Sequence, residues 1–316
     1  MKEKFTPYLS KQFENPAIAE QYKILPHDIA NHFDRIDPLE EDSHQPVKGL
    51  VHKYENRALI KVSYRCAAHC RFCTRIRQIG TADGDLNSPE DIPNIISYLR
   101  QHTEITDVIL SGGDPFYTPK QSIELLHELE TIDTIRVVRI GTRLPIHNPQ
   151  SFKAPLLNAM LTKIKEMALK KPFIILLHFA HPDELTPEVL EVVRLLKTTG
   201  ATLLSQTVFL KGINDDYTLL KRLFEHLYWN GVMPYYIYRC DYVKGLEHYV
   251  CDMADEIRIM TNLRKDLSGI AYPTYIVDVE GKGKIPVPLN FWGMSVPNGC
   301  TDFNNEYINF TDKLTS

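Results

Sequence analysis

Apolar residues along the chain gather in short runs, most of them nearly unbroken and rich in valine and isoleucine. LIKVSY (59–64), DVILSGGDP (107–115), RVVRIGTRLP (136–145), FIILLHF (173–179), TLLSQTVFL (202–210), YYIYRCD (235–241) and PTYIVD (273–278) read as strands with both faces covered. Between them the apolar spacing turns helical. Ser88-Pro89-Glu90-Asp91 predicts an N-cap with proline at the first helical position, followed by a face of Ile92, Ile95, Ile96 and Leu99. Thr186-Pro187-Glu188 opens a second helix carrying Val189, Val192, Val193 and Leu196, with Gly200 where a C-terminal cap belongs. Asn214-Asp215-Asp216 opens a third that runs to Gly231.

Alternating buried strands and helices predict an α/β fold with a parallel sheet, and six or seven such units suit a full or partial (β/α) barrel. In that architecture chemistry gathers at the carboxyl ends of the strands. The polar phrases of this sequence fall there.

Composition narrows the classes. A chain of 316 residues with 43% hydrophobic and 24% charged positions has enough core for one large domain or two small ones. A formal net charge of -4 gives no footprint for nucleic acid or an anionic membrane. No apolar run approaches the ~20 residues of a membrane helix. The opening MKEKFTPYLSKQFENP has no apolar signal core, so a cytoplasmic location is expected.

Three of the six cysteines, Cys66, Cys70 and Cys73, fall within YRCAAHCRFCTR, directly after the first strand. Clustered thiols in such a chain point to a metal or to catalysis rather than to crosslinks, whereas Cys251 and Cys300 read as structural thiols. One reading is half of a zinc site, which needs a distant fourth ligand such as Cys240 or Cys300. The other is a four-iron cluster in which three thiolates leave one iron open.

The spacing Cys-x3-Cys-x2-Cys, with Phe72 before the last cysteine, resembles the signature of the radical S-adenosylmethionine enzymes. The resemblance implies a [4Fe–4S] cluster on these cysteines whose open iron chelates S-adenosylmethionine and cleaves it to a 5′-deoxyadenosyl radical. Ser111-Gly112-Gly113-Asp114-Pro115, ending the second strand, resembles the loop that contacts the methionyl part of that cofactor, its glycines letting backbone approach a ligand.

A closer resemblance is to lysine 2,3-aminomutase and its relatives. It runs from IDPLEEDSHQPVKGLVHKYENR (36–57) through SGGDPF, GTRLPI, HFAHPDELTPE, QTVFLKGINDD and YIYRCD to IPVPLNF (285–291). It implies a partial (β/α) barrel of the radical SAM type with short N- and C-terminal extensions. The expected boundaries are an N-terminal extension over 1–50 packing on the barrel, the barrel with a pyridoxal phosphate site over 51–290, and a tail over 291–316. In VDVEGKGKIPVP (277–288), Lys284 takes the position of the pyridoxal-binding lysine, on a glycine-flanked turn after the last strand. The family's loop has four glycines before that lysine, whereas this chain reads Gly281-Lys282-Gly283, which makes Lys282 a rival.

By the same resemblance Arg57 and Tyr54 anchor the pyridoxal phosphate, with Lys53 where an arginine is common. Arg75 binds the substrate carboxylate, and Asp241 and Asp278 hold the side-chain ammonium of lysine. His178 and Gln206 lie near the adenosyl group, and Tyr238 near the pyridoxal ring. The function implied is a pyridoxal- and S-adenosylmethionine-dependent isomerase interconverting L-lysine and β-lysine. Arginine, or a lysine of a translation factor, are the alternative substrates, and a binding module without turnover is the alternative class. An electron donor such as flavodoxin or ferredoxin is implied, and assembly is left open, with a homodimer slightly favoured. The tail, with only Cys300, predicts no structural zinc, and Asp216 stands where relatives carry a further zinc-site cysteine.

Overall fold

A computed structural model of the chain describes residues 2–24, 34–279, 281–287, 299–301 and 307–309. One nine-stranded sheet organises it, in the order β1 (Leu50–Tyr54), β2 (Arg57–Ser63), β3 (Asp107–Gly112), β4 (Val137–Thr142), β5 (Phe173–His178), β6 (Thr202–Val208), β7 (Met233–Tyr238), β8 (Thr274–Val279) and β9 (Gly283–Pro286). All pairings from β2 to β8 are parallel, and an antiparallel strand closes each end. Spatial order equals sequence order, as successive right-handed crossovers produce. The sheet is a partial (β/α) barrel, and all seven strands expected from the apolar runs are present.

Ahead of the sheet lie two single-turn helices, α1 (Pro7–Ser10) and α2 (Pro16–Ala19), capped by the Thr6 and Asn15 side chains. The crossovers carry α3 (Asp91–Gln101), α4 (Pro119–Glu130), α5 (Leu144–His147), α6 (Pro155–Ala168), α7 (Pro187–Lys197), α8 (Tyr217–Trp229) and α9 (Met253–Asp266). Strand alternation divides each β segment between two environments. In β6, Leu203, Ser205 and Thr207 are buried, while Gln206 and Val208 line a cavity inside the barrel. The core holds Ile60, Val62, Val108, Leu110, Val138 and Ile175 with helical residues such as Leu125, Ile164, Val193 and Leu223, all essentially without solvent contact.

The helix starts agree with the sequence in two cases. Thr186 Oγ1 accepts from the Val189 amide and Asp216 Oδ1 from that of Leu219. Asp216 is therefore the N-cap of α8. At α3 the expectation is corrected. The helix begins at Asp91, whose carboxylate accepts the Ser88 amide at 2.9 Å and the Lys48 ammonium at 2.9 Å, so Pro89 lies outside it. The face of Ile92, Ile95, Ile96 and Leu99 is buried as expected.

Two strands of this sheet escaped the sequence reading. Leu50–Tyr54 forms a hairpin with β2 around Glu55-Asn56, so the barrel's sheet begins at Leu50 and Tyr54 pairs with Arg57 across the turn. Its polar His52 and Lys53 hide the strand from an apolar count. Gly283–Pro286 was expected as a turn, yet it folds back on β8 with Asp278 opposite Lys284. Of the 291–316 tail, the described part is an antiparallel pair, β10 (Gly299–Thr301) and β11 (Tyr307–Asn309). The rest of it, with the Cys300 side chain, lies outside the described residues.

Residues 2–24 clasp the cysteine loop. The His69 amide donates to Lys4 O at 2.8 Å and the Arg71 amide to Gln21 O at 2.7 Å. Lys4 Nζ donates to Cys66 O at 2.7 Å.

Candidate active site

The barrel encloses a cavity of about 400 Å³ lined by Cys66, Cys70, Cys73, Arg75, Asp241, Asp278 and Lys284, and by Tyr54, Arg57, Gly112, Gly113, Asp114, His178 and Gln206 as well. At its cysteine end, Cys66, Cys70 and Cys73 stand on the loop after β2 as free thiols. Burial pushes all three thiols up, with Asp114 and the neighbouring sulfurs adding to this at Cys66, and Cys73 reaches about 11. Cys70 Sγ accepts a hydrogen bond from Arg143 Nη1 at 2.9 Å, and His147 Nε2 lies 3.7 Å from the same sulfur. Cys240 is buried outside the cavity lining, with its thiol toward the Asp241 carbonyl. His69 turns its Nδ1 to Lys2 O at 3.0 Å. Among the described residues no group of three His, Cys, Asp or Glu is placed to hold a single metal ion. A cubane takes its three thiolates on three different irons, and three free thiols along one wall fit that donor set.

The SGGDP loop packs on the cysteine loop by backbone. A Cβ on Gly113 would stand 2.3 Å from Arg65 O, and one on Gly112, whose φ is +98, would stand 2.7 Å from Ser63 O. These glycines are therefore required by chain-to-chain approach, a reason the sequence reading had assigned to a ligand. Asp114 is buried and accepts from Thr142 Oγ1 at 2.8 Å, from the Arg143 amide at 2.8 Å and from the Phe116 amide at 3.0 Å. Its carboxylate ties the loop to the end of β4.

Across the cavity, the half-buried His178 at the end of β5 packs against the Phe72 ring (5.5 Å between centroids), and its Nε2 has no hydrogen-bond partner. Burial, with the Arg143 charge, pushes its imidazole down to about 3, so the ring is neutral. Gln206 is its neighbour across the β5–β6 pairing.

The β8–β9 hairpin brings a cation to two acids. Lys284 Nζ lies 2.9 Å from Asp278 Oδ2 and 5.8 Å from the centre of the Tyr238 ring. Asp241, on the loop after β7, is half-buried and lines the cavity. Burial first and the Asp278 charge second push its carboxyl up to about 7, against the pull of Lys284. Lys282 sits in the hairpin turn, its amide donating to Val279 O at 3.0 Å, and takes no part in the cavity lining.

Beside this hairpin, the Arg57 guanidinium stacks on the Tyr54 ring at 4.8 Å. Gly283, with φ +82, lies under Tyr54, whose hydroxyl would be 2.9 Å from a Cβ there. Among the described residues Arg57 has no ion pair. Lys53 bonds Glu40 Oε2 at 2.8 Å and Leu39 O at 3.2 Å.

Arg75 is not an open fork. Its Nε donates to both Glu41 oxygens at 2.9 and 3.1 Å and Nη2 donates to Glu41 as well, while Nη1 faces Ser111 Oγ at 3.4 Å. Glu41 also lies 4.0 Å from Lys61 Nζ, which is buried without a hydrogen-bond partner. Burial opposes ionisation of Glu41, but the Arg75 and Lys61 charges hold its carboxyl below the usual range. Glu41, Lys61 and Arg143 were missed by the sequence reading. The readable signal was a charge inside a matched phrase (Glu41, Arg143) or inside an apolar strand run (Lys61), at a position where burial requires a partner.

A partial barrel with three cysteines on the loop after its second strand, above a glycine loop, defines a radical S-adenosylmethionine protein, and the radical SAM superfamily profile matches residues 60–223. The chain is 40% identical over 256 residues to the L-lysine 2,3-aminomutase of Fusobacterium nucleatum, covering 80% of this chain and 58% of that one. It is 36% identical over 293 residues to the L-lysine 2,3-aminomutase of Acetoanaerobium sticklandii, covering 90% and 69%. Similarity to the glutamate 2,3-aminomutase of Clostridioides difficile is 34% over 290 residues, covering 89% and 66%. The chain belongs to the lysine 2,3-aminomutase family. It spans 58–60% of the length of the first curated relatives it matches. A radical SAM methyltransferase from Sphaerobacter thermophilus shares the fold, with TM-score 0.50 and 17% identity over 72% of this chain and 68% of that one. Superfamily membership brings a [4Fe–4S] cluster and S-adenosylmethionine, which Cys66, Cys70 and Cys73 and the cavity beside them fit. Among the described residues no helix is long and apolar enough to cross a membrane.

Proposed function

We propose that the chain catalyses the 2,3-migration of the amino group of L-lysine, giving β-lysine. The observation that carries this reading is the opposition of charges in one cavity: the Arg75 cation at one site, and the acids Asp241 and Asp278 at another. A diamino acid has a carboxylate for the first and a side-chain ammonium for the second. A glutamate side chain would bring a third carboxylate against two acids, a cost of several kcal/mol in a buried site.

In this reading the cysteines hold the cluster, and Gly112, Gly113, Asp114, His178 and Gln206 shape the S-adenosylmethionine side of the cavity. The unpartnered His178 Nε2 is a polar atom there that a bound ligand can satisfy. Lys284 carries pyridoxal phosphate, with Arg57 and Tyr54 at its phosphate. When bound, S-adenosylmethionine with the cluster would supply a carbon radical able to take a hydrogen atom, and pyridoxal phosphate would supply conjugation to the amino nitrogen.

The chain's own residues bind, orient and enclose. Glu41 fixes one edge of Arg75 and so aims the remaining N–H groups, as a planar fork must be aimed to hold a carboxylate. Asp241 and Asp278 fix the far end of the substrate, so that C3 is held by its two ends rather than by contacts at the reacting carbon. The Tyr238 ring and the Phe72–His178 contact line the space between and limit water there. A one-electron donor of the flavodoxin or ferredoxin kind would reduce the cluster before turnover, and the isomerisation itself consumes no electron.

The test is anaerobic reconstitution with iron, sulfide, pyridoxal phosphate and S-adenosylmethionine, followed by separate incubations with L-lysine, L-arginine and L-glutamate. β-Lysine as the dominant product is the expected result. β-Arginine would overturn the substrate, and 5′-deoxyadenosine without any β-amino acid would overturn the aminomutase reading.

A further inference from the structure

Of the buried charges that the proposed reaction leaves unused, Arg143 is the one that touches a cluster ligand. It follows β4 directly, its side chain is 6% exposed, and three kinds of contact fix it. Nη2 donates to Glu184 Oε1 at 2.7 Å and to Gln21 Oε1. The guanidinium lies 5.0 Å from the Phe72 ring centre and 5.4 Å from that of Tyr22. Nη1 donates to Cys70 Sγ at 2.9 Å. Packed against two rings and held at Nη2, the side chain keeps its Nη1 N–H aimed at the sulfur.

We propose that Arg143 is a positioning residue that tunes the iron–sulfur cluster: its hydrogen bond and charge at Cys70 raise the cluster's reduction potential, and Glu184 sets how much of that charge the sulfur feels. The inference rests on the cluster that superfamily membership brings, and not on lysine as substrate.

A thiolate that accepts a hydrogen bond from a cation gives less charge to its iron. The reduced cluster carries one more negative charge than the oxidised one, so a fixed positive group beside a ligand sulfur favours it. Low exposure keeps the effect unscreened. Glu184, 0% exposed, lies on the opposite side of the guanidinium and offsets its field. His147 faces the same sulfur with Nε2 at 3.7 Å. No contact of this kind joins a guanidinium to the Cys66 or Cys73 sulfur among the described residues, so the arrangement is one-sided. Gln21 and Tyr22 come from the segment that clasps the cysteine loop, which links that segment to the tuning group.

The experiment is a mediator-poised redox titration of the reconstituted protein, without S-adenosylmethionine or lysine, read by the electron paramagnetic resonance of the reduced cluster. One electron passes from the mediator to the oxidised cluster at each point. Arg143→Gln is expected to disfavour reduction about tenfold, which is about 59 mV toward negative potential. Arg143→Lys, which keeps charge but loses the aimed fork, should fall between. Glu184→Gln, which does not touch Cys70, should shift the midpoint the opposite way. Variants that hold less iron are read on the fraction carrying a cluster, since the signal reports only that fraction. Opposite shifts for the Arg143→Gln and Glu184→Gln variants support the proposal. An unmoved midpoint in both, or shifts of the same sign, overturns it, and neither result bears on whether L-lysine is the substrate.

Discussion

Lys284 Nζ and Asp278 Oδ2 stand 2.9 Å apart on residues directly opposite each other in the β8–β9 hairpin. The protein's own amine thus fills the acid site that the proposed substrate's ammonium would use, and an acid pair is not left facing itself. Lys284→Ala removes that cation from both Asp278 and Asp241. In the protein without pyridoxal phosphate, the variant should melt lower than wild type, and L-lysine should restore it more than it stabilises wild type. A tenfold gain in lysine affinity, about 1.4 kcal/mol, is the expected size. Thermal melts with and without L-lysine measure it, and equal shifts in the two proteins would remove Asp278 from the substrate site.

Asp241 makes the stability depend on pH in a stated direction. Its carboxyl titrates near 7 when folded against 3.8 for an ordinary aspartate. The folded state therefore binds the extra proton, and stability is greatest below the lower value and falls as pH rises to about 7. For one proton the slope is about 1.4 kcal/mol per pH unit. Glu256, buried and also raised to about 7, adds a second such group away from the cavity. Asp241→Asn should remove one of the two slopes. Unfolding free energies at several pH values between 4 and 8 provide the check, and an unchanged slope would mean that Asp241 is ionised throughout.

Lysine binding below pH 7 should then release a proton, because a cation arriving beside Asp241 favours its ionised form. Calorimetry in two buffers of different ionisation enthalpy counts the proton. Release should shrink as the pH passes 7 and be absent in Asp241→Asn.

Arg75 tests the other end of the cavity. Replacing it by lysine keeps the charge but not the planar fork that Glu41 braces. Loss of a charged hydrogen bond costs about 1.5–3 kcal/mol, so L-lysine should bind roughly 10- to 100-fold more weakly. Cadaverine, which lacks the carboxylate, should bind the two proteins alike. A matching loss for both ligands would show that Arg75 shapes the cavity without reading the carboxylate.

The strands, the three cysteines and the Lys284 position were legible because each has a local signature: apolar runs, thiol spacing, a phrase before Ile-Pro-Val. What the sequence concealed was pairing at a distance. Arg75 reads as an open cation until Glu41, 34 residues earlier, is seen on it. Gly112 and Gly113 read as ligand-approach glycines, because nothing local indicates that Ser63 and Arg65 lie against them. Leu50–Tyr54 and Gly283–Pro286 are the antiparallel end strands, short and mixed in polarity, where one-sided cover removes the apolar signal that marks the parallel ones.

The Gly113 contact carries the last prediction. Its amide donates to Ser63 O, and the next amide, Asp114, donates to Arg65 O at 2.9 Å, so the loop lies flat on the backbone that leads into Cys66. An alanine methyl would have to occupy the space of Arg65 O and N, at 2.3 and 2.6 Å, where the obstructing atoms are backbone and have no rotamer to yield. Relief must come from moving Arg65, and with it the first cysteine. Gly113→Ala should therefore cost about 1–3 kcal/mol of stability, and lose iron on reconstitution out of proportion to that cost. Gly269→Ala is the control, its nearest obstacle being the flexible Arg264 guanidinium at 3.9 Å. Iron content per chain, beside melts of both variants, decides it. If Gly113→Ala binds wild-type iron, the cysteine loop can yield without displacing its thiols, and the glycine serves the cofactor side of the cavity instead.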